Sequence, residues 1–141
     1  MENRAKLKFI EVEKMVNSLN EANILLAENM EIKYDKSLKD SLIQRFEYTI
    51  EWIWKFLKYF LSEEFWEDIV WPKLIIKTSY KMWIIKDMDI FIKMIDKRNR
   101  LSHDYHEEFA EKSFENISYD YLEPINDLIN FIKNNYEWYN W

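Results

Sequence analysis

Apolar residues recur along this chain at helical intervals. Phe9, Val12, Val16 and Leu19 follow the three-and-four spacing of one buried face, which predicts a helix from about Arg4 to Ala27. The segment "NMEIKYDKS" then reads as a loop. A second helix follows over "LKDSLIQRFEYTIEWIWKFLKYFL", with Ser37 or Asp40 as its candidate cap. It carries two stripes: Leu42, Phe46, Ile50, Ile53, Leu57 and Leu61 on one, and Tyr48, Trp52, Phe56 and Tyr59 on the other. A helix apolar on two faces lies at the centre of its fold or is shared with a partner.

Pro72 stands where helices commonly begin, with "KLIIKTSYKMW" to follow. Asp87 is the candidate N-cap of a fourth helix, and Asp89 suits its first turn. Ile90, Phe91, Met94 and Ile95 give that helix its apolar face, and it runs directly into Arg98. Two more helical stretches are predicted, Glu107 to Ile117 and Tyr121 to Tyr136. Pro124 sits in an early turn of the second of these or kinks it. The tail "NNYEWYNW" frays or packs against a partner. Strand-like alternation is missing. The expected fold is all-α: an antiparallel up-and-down bundle of about five helices, forming a single domain over residues 1–141.

Composition sharpens this picture. The 141 residues include no glycine, so turns that would use it at positive φ are expected to use Asn or avoid that geometry. Gly-rich phosphate loops are excluded. The absence of cysteine removes disulfides and thiolate metal sites and fits a cytoplasmic protein. Seven Trp, nine Tyr and nine Phe are more aromatic area than one small core needs, so part of it is expected to bury against a second copy of the chain. The N-terminus has no apolar signal core, and no apolar run approaches a membrane span. The net charge of −6 means that a polyanion would need a locally basic patch.

One such patch exists. Lys93, Lys97, Arg98 and Arg100 face only Asp96, and the stretch "KRNRLSHDYHEE" adds both histidines, His103 and His106. Cations at a helix C-terminus complement its dipole, which by itself accounts for the lysines. On a regular helix Asn99 and His103 share a face, whereas Arg98 and His103, five residues apart, diverge by about 140°. A lone protomer does not bring Arg98 and His103 together unless the helix breaks. A two-fold dimer brings each toward its symmetry mate across a cleft.

"RNRLSHDY" has Arg98, Asn99 directly after it, four residues between Arg98 and His103, and Tyr105 two further on. This pattern resembles that of HEPN-domain proteins. The second helix strengthens the likeness: Asp40, "IQRFE", Glu51, "WK" at Trp54–Lys55 and the following "YFL" resemble the nucleotidyltransferase substrate-binding protein family, a HepT-like branch of HEPN. The resemblance continues through "PKLIIKTSYKMWIIKDMDIFIKMIDKRNRLSHDY" and covers roughly Leu38 to Ile132. Two positions depart from it: Gly is usual near Trp83, and Trp is common where Phe91 stands.

The resemblance implies a dimerising helical bundle acting as the toxin of a two-component system. Its activity would be that of a metal-independent ribonuclease, using no cofactor. Its antitoxin would be a minimal nucleotidyltransferase that adds AMP to Tyr105. An older view of the same branch makes the protein a non-catalytic substrate-binding subunit. A third reading is a helical dimer with an unrelated scaffold role. The residue chemistry suits RNA cleavage: His103 titrates near neutrality, and Arg98 offers planar bidentate donors to phosphate. Asn99 would orient the histidine or contact a phosphate. The alternatives are structural: His103 and Arg98 ending their helix, and Tyr105 half-buried with a wet hydroxyl. His106, three after His103 among Asp104, Glu107 and Glu108, has metal-ligand spacing but no third His or Cys, so no metal site is expected. Glu47, Glu51 and Lys55 stand at four-residue steps and read as intrahelical ion pairing.

Overall fold

A computed structural model describes residues 4–28, 36–103 and 107–136. All regular structure among them is helical: α1 (Arg4–Glu28), α2 (Lys36–Phe65), α3 (Pro72–Lys81), α4 (Met88–His103), α5 (Glu107–Asn116), a π-helical turn (Ile117–Tyr121) and α6 (Leu122–Asn135). The chain is an all-α bundle. Its longest helix, α2, lies at the centre and packs on α1, α3, α4 and α5. Phe46, Phe56 and Phe60 of α2 are fully buried, and truncating any one to Ala costs about 3–5 kcal/mol. Among the described residues, no helix is long and apolar enough to cross a membrane.

Local sequence explains most boundaries. Pro72 takes the first position of α3, where its missing N–H is harmless. Asp87 caps α4, its Oδ1 accepting from the Ile90 N–H at 3.1 Å. The Glu63 carboxylate near the end of α2 accepts from the first N–H groups of α1, at 2.8 Å from Arg4 and 3.2 Å from Ala5. Between α1 and α6, Asn20 and Asn126 exchange amide hydrogen bonds of 2.8 and 3.1 Å.

Two features depart from the expectations. The last two helical stretches are joined without a break, because the chain widens into the π-helical turn just before Pro124. The Leu122 N–H reaches back to the Ile117 carbonyl. This loosened turn accommodates the proline ring, which would otherwise clash with the carbonyl of Asp120. Second, positive φ is not avoided, and among the described residues it falls on Trp rather than Asn: Trp66 (60°) and Trp83 (64°) adopt it. Trp83 completes a Schellman cap on α3. Its N–H bonds to the Tyr80 carbonyl at 3.1 Å, and the next N–H, of Ile84, bonds to Ser79 at 2.9 Å. Ile84 and Ile85 are buried directly afterwards and hold the turn in place.

The second aromatic stripe of α2 divides. Phe56 is buried, Tyr48 is exposed, and Trp52 and Tyr59 are half-buried. Cations cover the last two: Lys8 lies 4.7 Å from the Trp52 ring and 5.6 Å from that of Tyr59, and Arg4 lies 5.9 Å from Tyr59. Part of the aromatic surplus is thus covered within the chain.

Candidate functional site

The basic patch at the end of α4 is built as two faces. Arg98 turns toward α2, while Lys97 and Arg100 turn toward α5 and flank the Phe109 ring at 4.6 and 4.0 Å. That side opens into a cleft of about 1350 Å³. Burial there lowers the Lys97 pKa, helped by the neighbouring Lys112 and Arg100 charges.

On the α2 face, Arg98 Nη2 meets Glu51 Oε2 at 3.0 Å. The same oxygen accepts from the Trp54 indole N–H at 3.1 Å, and Glu51 Oε1 pairs with Lys55 at 3.1 Å. Arg98 Nη1 donates to the Asn99 side-chain oxygen at 3.3 Å. Burial pushes the Glu51 carboxyl up, but the Trp54 and Lys55 hydrogen bonds and the Arg98 and Lys55 charges outweigh it, so its pKa lies below the ordinary value. One turn earlier, burial raises the pKa of Glu47, and Arg98 offsets this only in part. The Arg98 guanidinium is one-third exposed, with its position fixed by the Glu51 carboxylate.

Helix α4 stays regular through His103, so Arg98 and His103 diverge within one protomer as their spacing predicts. His103 is exposed at the last helical position and bonds to no other described residue. Asn99 is exposed beside Arg98. Tyr105, His106 and Asp104 lie outside the described residues. The sequence reading missed the Glu51–Arg98 pair. Its signal was present in the Glu47–Glu51–Lys55 ladder, which accounts for the Lys55 bond but left the second carboxylate oxygen unassigned.

The profile of one family, nucleotidyltransferase substrate binding protein like, matches residues 7–134. The chain belongs to this family. It is the HepT-like family. A protein of Thermus thermophilus, known from its crystal structure, is similar at 28% identity and a TM-score of 0.74, over 84% of this chain and 96% of its own. A search of curated proteins gave no match. Trp83 is the left-handed residue of the α3 cap, a position that suits Gly on conformational grounds.

Proposed function

We propose that this chain is a HepT-like toxin, a metal-independent endoribonuclease whose composite site forms at the cleft of a homodimer. The observation that carries this reading is the guanidinium of Arg98, on the helix that ends in an exposed imidazole, fixed at the surface by Glu51 of α2. RNA supplies its own nucleophile. Neutral His103 takes the proton of a ribose 2′-OH, the 2′-oxygen bonds to phosphorus, and the bond from phosphorus to the 5′-oxygen breaks. An imidazolium returns a proton to the departing 5′-oxygen, leaving a 2′,3′-cyclic phosphate. Arg98 neutralises the charge that grows on the phosphoryl oxygens. Asn99 binds beside it. A partner minimal nucleotidyltransferase silences the toxin by adding AMP to Tyr105, which places bulk and negative charge two residues from His103.

A second reading, a non-catalytic subunit that presents substrate to a nucleotidyltransferase, is favoured by one observation: a carboxylate already occupies Arg98, in a chain of net charge −6. RNA cleavage in chelator separates the two. The toxin reading expects cyclic-phosphate products from wild type and none from Arg98→Ala or His103→Ala. Equal cleavage by all three removes the catalytic assignment. Saturable nucleotide binding without cleavage supports the second reading.

A further inference from the structure

At the far end of α4 from Arg98 lies a groove of about 500 Å³ between the α3–α4 loop, the start of α4, the π-helical turn and α6. This volume is within the range of pockets that enclose ligands, roughly 300–1,000 Å³. Its floor is apolar, formed by residues such as Ile84, Phe91, Pro124 and Leu128. Two aromatic side chains stand at its lips almost wholly in solvent, Trp83 at 85% and Tyr119 at 81% exposure. Both are displayed by unusual backbone. Trp83 occupies a left-handed position that costs a non-glycine residue about 1–2 kcal/mol, and Tyr119 lies within the π-helical turn, a feature frequent at functional sites. The buried Ile84 and Ile85 hold the turn, while the Trp83 indole itself stays in solvent.

The rim carries the second half of the argument. Asp87, Asp120, Glu123 and Asp127 line it against a single cation, Lys86. Asp87 is used in capping α4, and Asp120 accepts from Asn116 at 3.0 Å. Glu123 and Asp127 make no ion pair among the described residues. Asp120, Glu123 and Asp127 all line this groove, and the seven steps from first to last span about 10 Å along the axis. A single small cation would meet one end of that row. A linear polyamine would match the row but leave the apolar floor and both aromatic lips unfilled.

We infer that this groove docks a basic segment of a partner polypeptide, which lays its Lys or Arg side chains along the Asp120–Glu123–Asp127 row and buries an apolar side chain between Trp83 and Tyr119. Exposed Trp and Tyr around an apolar centre are typical anchors of protein interfaces, and the rim charge selects the sign of the partner. The inference does not depend on ribonuclease activity, because the groove and Arg98 sit at opposite ends of α4.

The test uses the full chain and a fluorescein-labelled peptide, KLKKLLKKLKKL, titrated by anisotropy at physiological salt. Saturable binding is expected. It should weaken at least tenfold in Trp83→Ala and in the double variant Asp120→Asn/Asp127→Asn, and be unchanged in Glu21→Gln/Glu28→Gln, which removes the same charge from the exposed face of α1. Circular dichroism establishes that each variant is folded. No saturable binding, or equal binding by the groove and α1 variants, overturns the inference. So does equal binding of the acidic peptide ELEELLEELEEL, of oligolysine, or of spermine, which would reassign the groove to apolar contact or to bare cations. A concentration-dependent mass in sedimentation that Trp83→Ala abolishes would place a second copy of this chain there instead, and also overturns it.

Discussion

The two ends of α4 use charge in opposite ways. At its C-terminal end a cation is held by a carboxylate from the neighbouring helix, and an exposed imidazole ends the helix. At its N-terminal end carboxylates outnumber cations around an apolar hollow. The first arrangement holds one cation in place: Glu51 fixes Arg98, and the Trp54 and Lys55 hydrogen bonds fix Glu51. The second fixes little internally and leaves two aromatic side chains in solvent. One helix thus separates a polar, internally braced end from an apolar end whose contacts are incomplete.

The largest effects that sharpen this contrast belong to the braced end. Arg98→Ala and His103→Ala should each lower RNA cleavage in chelator by about a hundredfold or more, measured by initial rates on a labelled RNA. For the exposed His103 the melting temperature should hardly move. Next comes Glu51→Gln, which keeps the shape of the side chain but loosens its hold on the guanidinium. The expected signature is a split: kcat falls about tenfold, while KM falls as well because phosphate no longer competes with a carboxylate. Equal loss in kcat and kcat/KM would mean that Glu51 does not compete with substrate.

At the other end the expected change is smaller and of opposite sign. Trp83→Gly should raise stability by up to about 1 kcal/mol, because the left-handed position then carries no β-carbon penalty and glycine's greater unfolded-state entropy only partly offsets the gain. Trp83→Ala, which keeps the β-carbon, should show no such gain in urea unfolding. Smallest are the pH effects of two carboxylates one turn apart on α2. Glu51, with its pKa lowered in the folded state, contributes stability above the unfolded value, about 4.3, and loses it as pH falls through the folded value. Glu47, with its pKa raised, does the reverse: it costs stability as pH rises past its unfolded value and through the folded one. Stability measured against pH should therefore show Glu51→Gln less stable and Glu47→Gln more stable than wild type at neutral pH. Both differences should shrink toward pH 3.

Most of the helical scaffold was legible because its signals are local. Phe9 to Leu19 marked α1, Pro72 opened α3, and Asp87 capped α4 where the spacing placed it. The π-helical turn was not legible: Pro124 announced a disturbance, but whether a helix breaks or widens there depends on the burial of Ile117 and Tyr121 on either side. Nor did the missing glycines prevent left-handed caps, since a buried pair such as Ile84–Ile85 can hold a Trp in that geometry. At the braced end, Arg98, Asn99 and His103 were readable as a motif. The grip of Glu51 was hidden because a satisfactory local partner, Lys55, stood four residues away, and tertiary pairing leaves no periodic trace.

The amide exchange between Asn20 and Asn126 ties the first helix to the last at a single axial offset. Slide either by one residue and two half-buried amides lose this reciprocal pairing together. The pair works as a detent between the first helix and the last, so the rod that carries the π-helical turn and Tyr119 keeps its height relative to α1, and the level of the groove's lip is set by a contact that is not itself part of the lining.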